Sequence, residues 1–248
     1  MISFLVKSVF QYFVVAIAFT TTFLLGFLLL GSTDTASVYS NVYLTSLQFN
    51  QSSEFLPNIQ SALNATRKGY MADMSIKIGY LSYCMTVQGN STCTGFGTGA
   101  DSRIAGVSIV PTSSEKAPQL DLVAISKSFN QVCHPNLLMT VVIVTILTMI
   151  VLCYSAIPVV PGKRVAHKVS CFMSFANLIL WGLGSMLQHE AVSSAGRIIG
   201  PSSMGMLEVS KGKRADAMTW IAFTFILVIF LNTVMVLIKD LKQVDKKV

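Results

Sequence analysis

Four stretches of this chain are long, apolar and free of Asp, Glu, Lys and Arg: residues 9–30, 137–160, 169–186 and 218–238. Each is close to the roughly 20 residues that an α-helix needs to cross about 30 Å of hydrocarbon. Lipid offers no partner for backbone N–H and C=O groups, so such runs are read as helices, whose backbone bonds close internally. They explain why only 12% of the 248 residues are charged, where a soluble domain carries about a quarter. The fold class expected is therefore membrane α-helical, with four transmembrane helices and the lipid bilayer as the first partner. The run at 9–30 is longer than the 7–15-residue apolar core of a secretory leader, and it is read as a retained span.

Between and around the spans lie residues 1–8, 31–136, 161–168, 187–217 and 239–248. Residues 1–8, 161–168 and 239–248 together hold eight basic and two acidic residues, among them Lys7, Lys163, Arg164, Lys168, Lys239 and Lys242. The loops 31–136 and 187–217 hold ten basic and nine acidic ones. The excess of Lys and Arg near span ends marks the cytosolic side, so both termini and 161–168 are expected in the cytosol of a multi-pass plasma-membrane protein. The loops 31–136 and 187–217 are then extracellular. Lys211, Lys213 and Arg214 run against the rule and are read as lipid headgroup contacts. The basic balance describes topology and not nucleic-acid binding, because no basic stripe interleaved with aromatics occurs. Three Asn-x-Ser/Thr acceptors, Asn50, Asn64 and Asn90, all fall in the long loop, which agrees with an exterior glycosylated face.

That loop has its own order. Ile76, Ile78 and Tyr80 alternate as in a strand, and "RIAGVSIV" from Arg103 is a second strand candidate. Leu122, Ile125 and Phe129 stand at helical spacing ahead of the second span. Cys84 and Cys93 flank "MTVQGNST", whose Gln-Gly-Asn centre suits a turn. On an oxidising face a disulfide across a hairpin is the natural reading. Cys133 is left odd: it pairs between chains, stays free beside the membrane, or competes for another cysteine.

Four spans, a large first exterior loop, cytosolic termini and a Gly-apolar-apolar-x-x-Cys…Cys pattern resemble the claudin superfamily. Within it, "IKIGYLSYC…C" is similar to the fungal pheromone-induced regulators of calcium influx and mating-cell membrane fusion. Gly79, Tyr80, Leu81, Cys84 and Cys93 match the motif, while Ser82 stands where a second glycine is usual. The tryptophan of the animal tight-junction motif is missing; Trp181 and Trp220 both lie in spans. The resemblance implies a claudin-like bundle with a small disulfide-stapled extracellular β-containing domain. It also implies a regulator or component of low-affinity calcium influx and of plasma-membrane fusion during mating, with calcium as a possible transported ion. The partners implied are further copies of the chain or other membrane proteins. The alternative is a claudin-like membrane-organising or adhesion scaffold of the eisosome or cortical-domain type, with no ion role.

The residues give little to catalysis. His134, His167 and His189 stand apart from Cys and carboxylate partners at metal spacing, so neither metal nor cofactor is expected. Ion pathways usually leave ionisable groups inside the bilayer, and the four runs have none. Their polar residues, Asn177, Asn232 and Thr20 to Thr22, are read as interhelical hydrogen-bonding groups, and Gly182 and Gly184 as places of close helix approach. Gly79 interrupts an alternating strand, where glycine is otherwise unfavourable, so a positional need is expected. Gly79→Val should then harm folding, and Ser82→Gly should be tolerated.

Overall fold

The computed structural model describes residues 2–54, 57, 60–61, 73–96, 122–157 and 162–245. Asn64, the strand candidate from Arg103, and Gln119 to Asp121 lie outside them. Among the described residues lie six helices and five strands: α1 (Ile2–Leu29), α2 (Ser37–Ser40), β1 (Thr45–Phe49), β2 (Ser75–Ile78), β3 (Ser82–Val87), β4 (Asn90–Gly95), α3 (Leu122–Cys133), α4 (Pro135–Ala156), α5 (Lys163–Ser202), β5 (Leu207–Lys211) and α6 (Lys213–Asp245). They form two compact units, one of residues 1–26, 136–186 and 217–248, the other of 27–135 and 187–216.

The first unit holds the four runs without charge. Each of α1, α4, α5 and α6 is long and apolar enough to cross a membrane. Large apolar side chains such as Phe19, Ile143, Phe172 and Leu231 point outward, which suits hydrocarbon as the solvent and not water. Inside, Val14, Ala18, Leu152 and Ile229 form an apolar cluster with Val15, Ile17 and Met149 packed on it. A line of mostly polar residues also runs through this core. His167, Ser170, Ser174, Asn177 and Trp181 recur every three or four residues on α5, which puts them on one face. Ser174 and Thr233 hydroxyls are 2.8 Å apart, Asn177 Nδ2 donates to Thr145 Oγ1 at 2.9 Å, and Trp181 Nε1 donates to the Thr219 carbonyl at 3.4 Å. Asn177 thus bonds between helices as expected. Thr20, Thr21 and Thr22 do not: each hydroxyl returns to the carbonyl four residues back on α1. A Cβ on Gly184 would come within 2.7 Å of the Leu137 side chain, so that glycine does mark a tight approach; at Gly182 the nearest atom, on Phe223, is at an ordinary 3.5 Å.

The helices outrun the apolar stretches. α5 has 40 residues, about 60 Å at 1.5 Å per residue, which is twice the hydrocarbon thickness. Residues 187–202, expected within the loop 187–217 between the third and fourth apolar runs, are helical. The end comes after Pro201, where the Gly205 N–H bonds the Gly200 carbonyl at 2.9 Å and Gly205 takes φ +73°, a glycine helix stop.

The second unit is built on an antiparallel sheet of order β4-β3-β2-β1-β5. The alternation at Ile76 and Ile78 does give a strand, and both side chains are fully buried. β3 and β4 pair Val87 with Asn90 across Gln88 and Gly89, whose φ values are +50° and +81°. Two successive positive φ values define a type I′ turn, whose twist matches that of the strands. A further inner strand, which the alternation argument passed over, is β1, flanked by β2 and by the edge strand β5. β5 comes from 187–217, so both long loops build one sheet.

Candidate functional site

The motif residues occupy the β2–β3 turn and the hairpin after it. Cys84 and Cys93 face each other across β3 and β4 and are joined by a disulfide, with Cα atoms 4.0 Å apart. This spacing follows from the turn, because a two-residue loop places residues that far from its centre directly opposite each other. Cys84 is buried and bound into the sheet interior, while β4 is the outer strand. The staple therefore ties a polar edge strand to the core.

Gly79 sits where two backbones meet. A Cβ there would fall inside 3.0 Å of the Gly31 carbonyl oxygen and 3.1 Å from Ser32 Cβ. The Gly79 N–H donates to the Ser82 carbonyl at 2.8 Å, closing the turn. Ser82 Oγ donates to the Ser32 carbonyl at 2.5 Å, and Ser82 is buried. Cys84 Sγ lies 3.0 Å from the same carbonyl; as a disulfide sulfur it carries no proton and donates nothing. Ser32 in turn takes φ +61°, donates its N–H to the Tyr39 carbonyl and its hydroxyl to that of Val42. The segment after α1 is thus pressed backbone to backbone against the motif. The same device recurs at Gly212, where a Cβ would strike the Tyr43 carbonyl and whose N–H bonds the Leu44 carbonyl.

This revises the expectation for Ser82. Its side chain is no tolerated substitute for a glycine, because it supplies a buried hydrogen bond that a glycine would remove.

Tyr80 gathers three elements. Its hydroxyl donates to Gln188 Oε1 of α5 at 2.7 Å, and its carbonyl accepts from Asn130 Nδ2 of α3. Burial first, then the nearby Cys133, pushes the phenol above its ordinary range. Burial also pushes the Cys133 thiol up to about 12. Cys133 is free and stays a neutral apolar side chain at physiological pH, which answers the question of its pairing within the chain. Beside Gln188, His189 Nδ1 stands 3.8 Å from Asp216 Oδ1, both about half exposed, on a shallow depression that Leu44, Val192, Lys211 and Gly212 complete. His167 Nε2 in the helical unit lies 3.7 Å from Asp240 Oδ2. Two of the histidines thus meet carboxylates that sequence spacing did not reveal. Among the described residues, no three of His, Cys, Asp and Glu converge on a possible metal position.

The glycan acceptors differ. Asn50 Nδ2 donates to the Gly205 carbonyl at 3.0 Å and Oδ1 accepts from the Ser52 N–H, so this amide is part of the fold. Asn90 is exposed at the tip of the hairpin.

Sequence reading missed Gly31, Ser32, Asn130, Gln188 and Gly212. Only the glycines carried a signal, and it lay in neighbours far away in the chain.

Four membrane-length helices and a disulfide-stapled antiparallel sheet define a multi-pass membrane protein whose loops between the apolar runs fold. Residues 60–239 match the family model described as Ca2+ regulator and membrane fusion protein Fig1, and the chain belongs to that family. It is 26% identical, over 279 aligned residues, to the Factor-induced gene 1 protein of Saccharomyces cerevisiae, covering all of this chain and 90% of that protein. No solved structure matches.

Proposed function

We propose that this protein acts in the fungal plasma membrane as a regulator or component of calcium influx and of membrane fusion during mating. The family match over residues 60–239 carries this reading, since it runs from ahead of β2 to the end of the fourth apolar run. We propose the claudin-like topology with it. Spans 9–30, 137–160, 169–186 and 218–238 cross the bilayer. Residues 1–8, 161–168 and 239–248 are cytosolic, and 31–136 and 187–217 are extracellular, with a glycan on Asn90. The basic bias of the cytosolic segments and the disulfide in 31–136 support this orientation.

In this reading the motif Gly79, Tyr80, Leu81, Cys84 and Cys93 is a structural joint that presents the exterior sheet. The described residues place no dense acidic field on it, which favours calcium handling by an assembly, either copies of the chain or other membrane proteins, over a pore within one chain. The test is calcium uptake and cell fusion in pheromone-treated cells lacking the protein, with and without the gene restored. Loss of both, restored together, is the expected result. Normal uptake with disturbed cortical organisation would replace this reading with the adhesion-scaffold one.

A further inference from the structure

From Ile198 to Leu207 the chain has no Asp, Glu, Lys or Arg, although both shoulders are charged, at Arg197 and Glu208. These residues form the end of α5, the turn after it and the start of β5. Met204 is 73% exposed and Ile198 61%. The first value equals that of Phe172, which faces outward from an apolar run. Pro201 is exposed as well, and Ile199 and Met206 are partly so. Apolar residues gathered at one tip call for an occupant, where single ones would not.

The backbone of this tip is closed on itself. The N–H groups of Ser203, Met204, Gly205 and Met206 donate to the carbonyls of Ile199, Pro201, Gly200 and Ser203. The Leu207 N–H donates to Ser203 Oγ. Asn50 covers the Gly205 carbonyl with its side-chain amide and the Met206 carbonyl with its N–H. A tip bonded in this way can leave water without stranding its polar groups. Residues 187–202 carry it on α5 about 24 Å beyond the third apolar run. Arg197 is exposed and forms no ion pair among the described residues. Its long stem lets the charge stay at the level of lipid phosphates while its neighbours go deeper. The adjoining carboxylates lie outside the run: Glu208 accepts from Gln48 Nε2 at 3.1 Å on the sheet, and Glu54 follows in the turn after Asn50. The glycan acceptor Asn90 belongs to β4, the sheet edge opposite β5 and about 19 Å from it.

We propose that this tip inserts into the outer leaflet of an apposed phospholipid bilayer, with Met204 and Ile198 in the interface and Arg197 on a lipid phosphate. The insertion rests on the exterior orientation and the fusion role proposed above. An uncharged tip whose backbone bonds are already made suits the non-directional attraction of a lipid interface better than the directed contacts of a protein partner.

The test uses the full chain in phosphatidylcholine proteoliposomes. Met204→Cys is labelled with a membrane-impermeant, polarity-sensitive dye, and wild type treated alike sets the background. Protein-free vesicles of phosphatidylcholine and phosphatidylserine that carry nitroxide lipid are then added. The dye should shift to the blue and be quenched on mixing. Unlabelled Met204→Asn and Ile198→Gln should each capture such vesicles about tenfold more weakly than wild type, with unchanged melting. Asparagine tolerates the left-handed φ of +54° at position 204, so the turn is kept. Arg197→Gln should weaken capture and make it less sensitive to salt. No quenching by the added vesicles overturns the proposal, as does quenching only when the nitroxide lipid is in the protein's own bilayer. Capture only of vesicles that themselves carry the protein assigns the tip to a second copy and overturns it too. Should Met204→Cys fail to fold, the dye on Ile198→Cys decides. The assay contains no mating cells, so its failure strikes the insertion alone, and the fusion role stands or falls on uptake and fusion in cells.

Discussion

Replacing Gly79 with alanine adds one methyl group at a point where the obstacle is a main chain. The Cβ would stand inside 3.0 Å of the Gly31 carbonyl oxygen, with the Gly31 carbonyl carbon and Ser32 Cβ both at 3.1 Å. None of these is the free end of a flexible side chain, so the turn itself must shift. Overpacking of this kind costs about 1–3 kcal/mol. A shifted turn also breaks the buried bond from Ser82 Oγ to the Ser32 carbonyl, worth about 1 kcal/mol. The total is about 2–4 kcal/mol, a rise of roughly 30- to 700-fold in the unfolded fraction at tenfold per 1.4 kcal/mol. Gly26 is the control, because a Cβ there meets nothing within 4 Å and the residue is helical; Gly26→Ala should be neutral or slightly stabilising. Surface biotinylation and a thermal melt in detergent measure both. A Gly79→Ala protein that reaches the surface at wild-type levels, melts normally and yet loses calcium uptake would refute the steric argument and make the turn a contact surface.

Gly212→Ala should destabilise as much as Gly79→Ala or more, by about 2–4 kcal/mol, because its Cβ would meet the Tyr43 carbonyl even more closely; the same melt checks it. Ser82→Ala should cost about 1–2 kcal/mol by leaving the Ser32 carbonyl one donor short, and a neutral result would mean that water replaces the hydroxyl. Asn90→Gln should remove a glycosidase-sensitive gel shift that Asn50→Gln leaves in place, given the exposure of the first and the engaged amide of the second. Burial raises the folded Cys133 thiol from 9 to about 12, so its contribution to stability is complete below pH 9 and is lost as pH rises from there toward 12; melts between pH 8 and 10 should fall less steeply for Cys133→Ala than for wild type.

The sequence made the helices legible because length and lack of charge are local properties. The hairpin was legible too, since its turn residues and cysteines lie within ten positions of one another. What escaped was decided at a distance. "TSLQF" is five residues without clear alternation, and it becomes an inner strand only by pairing with β5, about 165 positions later. Residues 187–202 carry charges and small side chains, and they stay helical as the continuation of a helix already nucleated. His167 and Asp240 are 73 positions apart, and only the packing of their helices brings them together. Gly79 was flagged by the weakness of glycine in a strand, but its neighbour Gly31 had to be seen to supply the reason.

The pairing of β1 with β5 also sets an order of events during synthesis. β1 leaves the ribosome after the first apolar run, yet its second neighbour is delivered only with residues 207–211, after two more runs have been made. Until then one edge of β1, with buried Leu47 and Phe49 beside it, waits without its partner strand. The sheet is therefore a checkpoint on completion of the chain. A premature stop after the third run leaves an open, apolar strand edge of the kind that chaperones hold and that pairs with other chains, so quality control can sort finished molecules from unfinished ones by this single edge.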